Sequence, residues 1–211
     1  MTTTLPDVIP VFPLSQAILL PRGRLPLNVF EPRYLEMTED ALSGHRHIGM
    51  IQPHGGGQVP PLHAVGCLGR LTAWEETGDG RFHITLTGVI RFRIAQEVAS
   101  GKMYRSVRAD YSDFTHDLTP SSHEPEIDRP ALFAQLKKYL SGQKLEADWD
   151  AIAETPAEAL VNSLSMICPF GAAEKQALVE AKTLDDRAEM LTALIEMAAA
   201  TGPGSGGTRL Q

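Results

Sequence analysis

The 211-residue chain carries 19 Lys and Arg against 26 Asp and Glu, a formal net charge of -7, with 43% hydrophobic residues; such a composition suits a folded chain with a sizeable core, as one large domain or two small ones. No run approaches the ~18 consecutive apolar residues of a membrane helix, and the start Met1-Thr2-Thr3-Thr4-Leu5-Pro6-Asp7 lacks the basic opening and apolar centre of a signal peptide, so a cytoplasmic protein without a membrane partner is expected. The charge is uneven: residues 1–115 hold 11 basic and 11 acidic side chains, whereas 116–211 hold 8 and 15, a poor arrangement for neutralising phosphates that makes polypeptides the expected partners and nucleic acid an unfavoured one.

The stretch 9–37 sets short apolar runs between prolines at 10, 13, 21, 26 and 32. Each proline fixes its own φ and pushes the residue before it toward an extended conformation. The pattern predicts short edge strands and corners, and no helix until Pro32 is passed. A first helix is expected over 33–42, closed by Gly44, followed by a short strand that Pro53 stops. His54-Gly55-Gly56-Gly57-Gln58 reads as a loop. A His-Gly-Gly-Gly string can build an oxyanion hole, but that chemistry needs a Gly-x-Ser-x-Gly elbow, which the sequence lacks.

From His63 the alternation is that of strands. Val65, Cys67, Gly69 and Leu71 fall on one face and Leu68, Arg70 and Thr72 on the other, as far as Trp74. Asp79-Gly80 marks a hairpin turn, and the return strand places Phe82, Ile84 and Leu86 inward with His83, Thr85 and Thr87 outward. Gly88 marks a bulge or sharp bend, beyond which Ile90, Phe92 and Ile94 face inward and Arg91 and Arg93 outward. A further strand spans 104–111. Five or six such strands with one early helix favour a small, twisted, partly closed barrel.

Residues 112–130 are polar, acidic and proline-bearing, and read as a linker. Helical patterns follow. Asp128 and Pro130 open a helix carrying Leu132, Phe133, Leu136, Tyr139 and Leu140; a short segment surrounds Trp149 and Ile152. Thr155-Pro156-Ala157-Glu158 reads as a capping box for a helix presenting Leu160, Val161, Leu164 and Ile167. Another helix spans 172–181, and Thr183 caps a long one with Ala188, Leu191, Leu194, Ile195 and Met197 inward. The expected organisation is a barrel at 1–115, a linker at 116–130, a helical lobe at 131–200 and a glycine-rich disordered tail at 201–211.

Chemistry has little support in the sequence. None of the six lysines lies in a phosphate-binding Gly-x4-Gly-Lys-Ser/Thr loop, so ATP hydrolysis is not expected. Ser163 and Ser165 read as helix-packed or solvated serines lacking an activating base. Cys67 and Cys168 form no Cys-x-x-Cys pair and read as buried thiols. His45 and His47 could share one side of a strand, but no third ligand stands nearby. No catalytic residue, metal or cofactor is expected. Glu31 and Arg33 read as anchors of the first helix or as recognition residues; Arg91 and Arg93 read as a solvated sheet face, or as a cationic face for an extended peptide or a nucleic-acid backbone.

Phe12-Pro13-Leu14, Leu20-Pro21 and Pro26-Leu27-Asn28-Val29-Phe30-Glu31-Pro32-Arg33-Tyr34, then Val65-Gly66-Cys67-Leu68-Gly69-Arg70-Leu71, Asp79-Gly80-Arg81 and Gly88-Val89-Ile90-Arg91-Phe92-Arg93-Ile94, together resemble the N-terminal, substrate-binding domain of the Lon protease family. Asn162-Ser163-Leu164 and Pro169-Phe170-Gly171-Ala172-Ala173-Glu174-Lys175 extend the resemblance to nearly the whole chain. It implies an α+β fold: an N-terminal antiparallel β pseudo-barrel, PUA-like, with an inserted helix and a C-terminal α-helical lobe. It also implies a non-catalytic module that binds unfolded or extended polypeptide, with Phe30, Glu31, Arg33, Tyr34, Arg91 and Arg93 as candidate contacts. Lon proteases follow this region with ATPase and Ser-Lys peptidase modules, which the sequence lacks, so a free-standing adaptor working with a protease or chaperone is expected. RNA binding through Arg91, Arg93, Arg105 and Arg108 is the alternative, and a hydrolase the third.

Overall fold

The computed structural model describes residues 5–121, 127–143 and 149–201. Its elements are β1 (Val8–Pro13), β2 (Arg24–Val29), α1 (Pro32–Ser43), β3 (His47–Ile51), β4 (Val65–Glu76), β5 (Phe82–Val98), β6 (Arg105–Asp110) and a 3-10 segment (Ser112–Leu118), then α2 (Arg129–Gln143), α3 (Trp149–Glu154), α4 (Ala157–Ile167), α5 (Ala172–Glu180) and α6 (Leu184–Thr201). Thr201, the first residue of the expected tail, closes α6; the rest of that tail and residues 122–126 of the expected linker lie outside the described residues, as do the side chains of Tyr139 and Leu140. None of the described helices is long and apolar enough to cross a membrane. Two compact units result. One comprises the chain up to Pro120 together with Gly171–Glu180; the other comprises Ser121–Phe170 and the chain from Ala181 onward.

In the first unit the six strands run in the order β2-β5-β4-β3-β1-β6, and β5 also pairs with β6, so the sheet closes on itself. The expected α+β pseudo-barrel is present, but it is mixed. β1 and β3 are parallel, with Val11 opposite Gly49, while the other pairs are antiparallel. Parallel neighbours need a crossover; here β2 and α1 provide it. The proline-spaced stretch also divides differently from the expected run of edge strands. β1 is interior, pairing with β6 over Val8–Val11 and with β3 over Val11–Pro13. Pro10 and Pro13 therefore each sit where the strand has a partner on one side alone, and a missing N–H costs no ladder bond. Among the described strands, β2 pairs with β5 alone.

β5 is long because it serves both sides of the closure: it pairs with β2 over Phe82–Thr87, with β4 as far as Arg93, and with β6 from Arg93 to Val98. The bend lies at Gly88, as the sequence indicated, where the β4–β5 register slips between Leu68 and Gly69. The Gly88 N–H donates to the Gly23 carbonyl, and its own carbonyl accepts from the Arg22 N–H, both at 2.8 Å. A Cβ on Gly88 would stand 2.0 Å from the Leu20 carbonyl oxygen, so only glycine permits this approach.

The barrel interior is packed with Ile9, Val11, Ile48, Leu68, Leu86, Ile90, Phe92 and Val107, all fully buried. Alternation predicts one buried face on β4, yet every residue from Val65 to Gly69 is buried, and beyond it Leu71 alone is buried, with Arg70 and all of 72–76 exposed. The cause is α5, expected in the helical lobe but belonging to the barrel unit. Gln176 Nε2 donates to the Val65 carbonyl at 3.0 Å, and Gln52 Nε2 donates to the Ala172 carbonyl at 3.0 Å and to Gln176 Oε1 at 3.2 Å. The 3-10 segment, expected as the start of a linker, likewise buries Phe114 and Asp117.

In the helical unit, Asp128 Oδ1 accepts from the Ala131 N–H at the start of α2, and Leu132 and Leu136 are buried. α4 begins at Ala157, with Pro156 at the cap position rather than at the first helical position that the expected capping box gave it, and the Glu158 carboxylate accepts from the Ser121 N–H. Leu160, Val161 and Leu164 are buried, but Ile167, placed inward by its spacing, is exposed at the last turn. Thr183 does cap α6: its hydroxyl accepts from the Asp186 N–H while Asp186 Oδ2 accepts from the Thr183 N–H, each at 3.0 Å. Ala188, Leu191 and Ile195 are buried, and Met197 is exposed. Thr183→Ala is expected to destabilise the helical unit by about 1 kcal/mol, read as a lowered urea midpoint in far-UV circular dichroism.

Candidate functional site

β2 stands at the end of the strand order and pairs with β5 on one side, and no described strand pairs with its other side. The side turned to β5 follows from the ladder. Because the Gly88 N–H donates to the Gly23 carbonyl, and backbone groups alternate sides along an antiparallel strand, Leu25, Leu27 and Val29 address β5. Arg24, Pro26 and Asn28 then turn their main-chain groups to the open side. Pro26 lacks an N–H, so it leaves the edge intact toward β5 and blunts it outward. The strand is exposed at Arg24, Pro26 and Asn28 and half-buried at Leu25 and Leu27.

Across the sheet, Leu27 lies opposite Ile84, which lies opposite Trp74. These three residues, with Pro26, Asn28, Ala73, Glu75, His83 and Thr85, line an open groove of about 520 Å³. Trp74 is 45% exposed, and the Arg46 guanidinium lies over its ring at 4.8 Å. Sequence reasoning left Trp74 as a strand end and Arg24 and Leu25 unremarked. The signal available was Pro26 within an alternating run, a mark of an edge strand.

At the far end of β2 the chain turns into α1 through Phe30 and Glu31. Phe30 is 59% exposed. The Glu31 carboxylate binds Arg33, with Nη2 at 2.7 Å and Nε at 2.9 Å, and the Arg33 guanidinium lies 4.4 Å from the centre of the Tyr34 ring. Tyr34 is buried and stacked on Phe12 at 4.1 Å; burial pushes its phenol pKa up, against the opposing charge of Arg33. Phe30, Glu31 and Arg33 thus form an exposed corner continuous with the β2 edge, while Tyr34 supports it from beneath.

The two candidate arginines of β5 separate. Arg93 is exposed and binds Asp113 at 3.0 Å, at the opposite end of β5 from the Phe82 that pairs with Val29. Arg91, expected beside it on the outer face, is 1% exposed. Its Nε donates to Asp117 Oδ2 at 2.8 Å, its Nη2 to Asp117 Oδ1 at 2.9 Å and its Nη1 to the Val179 carbonyl at 3.1 Å; the Phe114 ring lies 4.6 Å from it. The outer face of β5 is covered at this point by α5 and the 3-10 segment, so Arg91 holds the fold and offers no surface to a ligand. Burial pushes the Asp117 carboxyl up, but the bonds and charge of Arg91 outweigh it and hold it below its ordinary value. Arg105 is also engaged, with Glu97 at 2.5 Å and the Pro60 carbonyl at 2.7 Å.

The histidine pair is divided as well. His45 is exposed ahead of β3, whereas His47 is buried within it; burial and then the charge of Arg70 lower the pKa of His47. No group of three or more metal-ligating side chains is gathered among the described residues. On α4, Ser163 is exposed and Ser165 buried.

Comparison with known proteins agrees with this architecture. Lon protease 2 of Myxococcus xanthus is 28% identical over 207 residues, covering 90% of this chain and 24% of that protein. Lon protease of Flavobacterium johnsoniae is 24% identical over 190 residues, covering 87% of this chain and 23% of that protein. The chain therefore spans about a quarter of the length of these relatives. The crystal structure of a Lon N-terminal domain protein from Xanthomonas campestris superposes with a TM-score of 0.60 at 21% identity, covering 88% of this chain and 97% of that one. The N-terminal domain of Mycobacterium avium complex Lon protease gives 0.62 at 13% identity, covering 89% and 97%; at these identities the likeness is one of fold. The sequence profile of the ATP-dependent protease La (LON) substrate-binding domain matches residues 8–197, and the chain belongs to that family.

Proposed function

We propose that the barrel unit binds extended segments of polypeptide along the open side of β2, as a recognition module that cuts nothing itself and passes its cargo to a protease or chaperone. The observation that carries this reading is the unpaired edge of β2 running into the exposed Phe30, beside the groove that Trp74 lines. Strand addition supplies main-chain hydrogen bonds common to any sequence, and apolar side chains beside the edge add affinity. Phe30 and Trp74 are the contacts; the Glu31–Arg33 pair forms the polar rim, and Tyr34 keeps the corner rigid. Arg93 lies away from this edge and Arg91 inside the fold, so neither is assigned a contact. Family membership supports polypeptide as the ligand class. RNA is not favoured, because of the four arginines of that reading Arg91, Arg93 and Arg105 are engaged with Asp117, Asp113 and Glu97, which leaves Arg108 as its one exposed cation without an acid partner among the described residues.

The test is titration of fluorescently labelled unfolded casein, followed by anisotropy and by gel analysis with and without ATP. Saturable binding without fragmentation is expected. Phe30→Ser is expected to weaken binding about tenfold or more, the loss of most of one buried aromatic contact. Absence of saturable binding by the wild-type chain, or fragmentation abolished by a single serine substitution, would overturn the reading.

A further inference from the structure

The face of β2, β5 and β4 that carries Pro26, Thr85 and Ala73 is electrically polarised along the strands. Cross-strand register sets Arg24 beside Thr87 and Thr87 beside Arg70, all on one face. Four residues along β2, the corresponding row is Asn28, His83 and Glu75. Arg24, Arg70 and Glu75 are exposed, and none of the three takes part in an ion pair among the described residues. Near the second row the other acids are Glu31 and Asp79, each paired with an arginine, and Glu76. The face therefore carries uncompensated positive charge at the Arg24 end and uncompensated negative charge at the Glu75 end. The Thr87 hydroxyl in the first row is bonded to that of Thr72 at 2.9 Å.

We infer that the segment added to β2 is selected for the order of its charges: polar or basic, apolar, any residue but proline, apolar, acidic, read from N to C in an antiparallel strand. This inference rests on the proposed polypeptide binding and names the sequence class that the edge prefers. The residue opposite Arg24 shares its face at a spacing of about 5 Å, where opposite charges attract across strands. An acid there meets Arg24 directly and feels Arg70 two strands further on. The residues opposite Leu25 and Leu27 lie on the other face, where an apolar side chain covers the half-exposed leucines and extends the row Leu27–Ile84–Trp74. The residue opposite Pro26 donates its N–H to the Pro26 carbonyl and must not be proline, since Pro26 has no N–H to offer in return. Opposite Asn28 an acid would join the row that ends in Glu75, three strands away, and a basic or neutral residue is preferred. Antiparallel addition follows from the ladder geometry, which is slightly the more stable of the two.

The test uses the full chain and two labelled peptides of identical composition. One has the core Lys-Leu-Ser-Leu-Glu and the other Glu-Leu-Ser-Leu-Lys, with the same neutral flanks. By anisotropy at ~50 mM salt the first is expected to bind about fivefold more tightly, with the preference fading by ~0.5 M salt as screening shortens. Arg24→Glu is expected to invert the preference, Arg24→Gln to abolish it, and Arg70→Glu to reduce it less than Arg24→Glu does. Arg24 is exposed, so circular dichroism of these variants is expected to match the wild type. Equal binding of the two peptides, preference for the second, or indifference to Arg24→Glu would overturn the charge order while leaving polypeptide binding standing. Failure of both peptides and of unfolded casein to bind would remove both.

Discussion

Replacing Asp117 by alanine is expected to destabilise the barrel unit by about 3–5 kcal/mol, because the Arg91 guanidinium would remain buried without a counter-charge. In the native fold Asp117 accepts from Arg91 Nε and Nη2 and, at 3.0 Å, from the Arg91 N–H. After the substitution the remaining partners of Arg91 include the Val179 carbonyl at 3.1 Å and the ring nitrogen of His116 at 3.1 Å, both neutral acceptors when the guanidinium is the donor. Arg91→Ala is expected to cost a similar amount by orphaning the carboxylate. Arg91→Met combined with Asp117→Leu is expected to recover most of the loss, since a buried pair stabilises little relative to an apolar filling. Urea unfolding of the single and double variants by circular dichroism measures all three.

The same carboxyl gives the pH dependence its sign. Its folded pKa lies below the ordinary value, so its contribution is fully present above the unfolded pKa of about 3.9 and is lost as pH falls through the folded value. The stability gap between wild type and Asp117→Ala is thus expected to hold from neutral pH down to about pH 5 and to narrow below about pH 4. A gap that narrowed on the alkaline side would contradict this assignment.

Gly88→Ala is expected to cost about 2–3 kcal/mol, at the upper end of what overpacking usually costs. The added methyl meets the Leu20 carbonyl oxygen at 2.0 Å and the Leu20 carbonyl carbon at 2.7 Å, which is backbone and not the movable end of a side chain. That carbonyl is also pinned, because it accepts from the Gly23 N–H at 2.9 Å. Relief must come from the 20–23 corner as a whole, which leads directly into β2. Gly78→Ala, in the open hairpin turn with nothing within 4 Å of its Cβ position, is expected to be near neutral and serves as the control. Thermal unfolding monitored at 218 nm compares the two.

Local patterns in the sequence carried most of the barrel. Phe82, Ile84 and Leu86 alternate because one face of that part of β5 meets the core and the other meets solvent; Gly88 bends where the chain needs a residue without a side chain. The prolines of 9–37 marked extended backbone correctly, but not which strand would be interior. Whether Pro10 needs an N–H depends on where the β3 pairing begins, a long-range fact. Arg91 and Arg93 look alike in the strand pattern, and only the cover supplied by α5 and the 3-10 segment distinguishes the buried one from the exposed one. Asp117 was read as linker for the same reason, since an acid in a polar stretch gives no sign of a partner 26 residues earlier. Thr155 and Thr183 offered similar capping signals, yet at Thr155 the proline itself became the cap. At the candidate site only the family resemblance pointed to Phe30, and the pattern around Glu31 and Arg33 suited anchoring of the first helix as well as recognition. Trp74 and Arg24 were not legible, because their meeting on one face depends on the β2–β5–β4 register.

The placement of α5 has a consequence for how this protein can be divided or inherited. Its barrel is not one uninterrupted length of chain: the segment completing it returns after some fifty residues devoted to the other unit. A genetic boundary drawn at residue 120 would separate Val65 and Gln52 from Gln176, and Arg91 from the carbonyl of Val179. Exchange between relatives that respects this architecture must carry both ends of the loop together, with the intervening helices as an insertion.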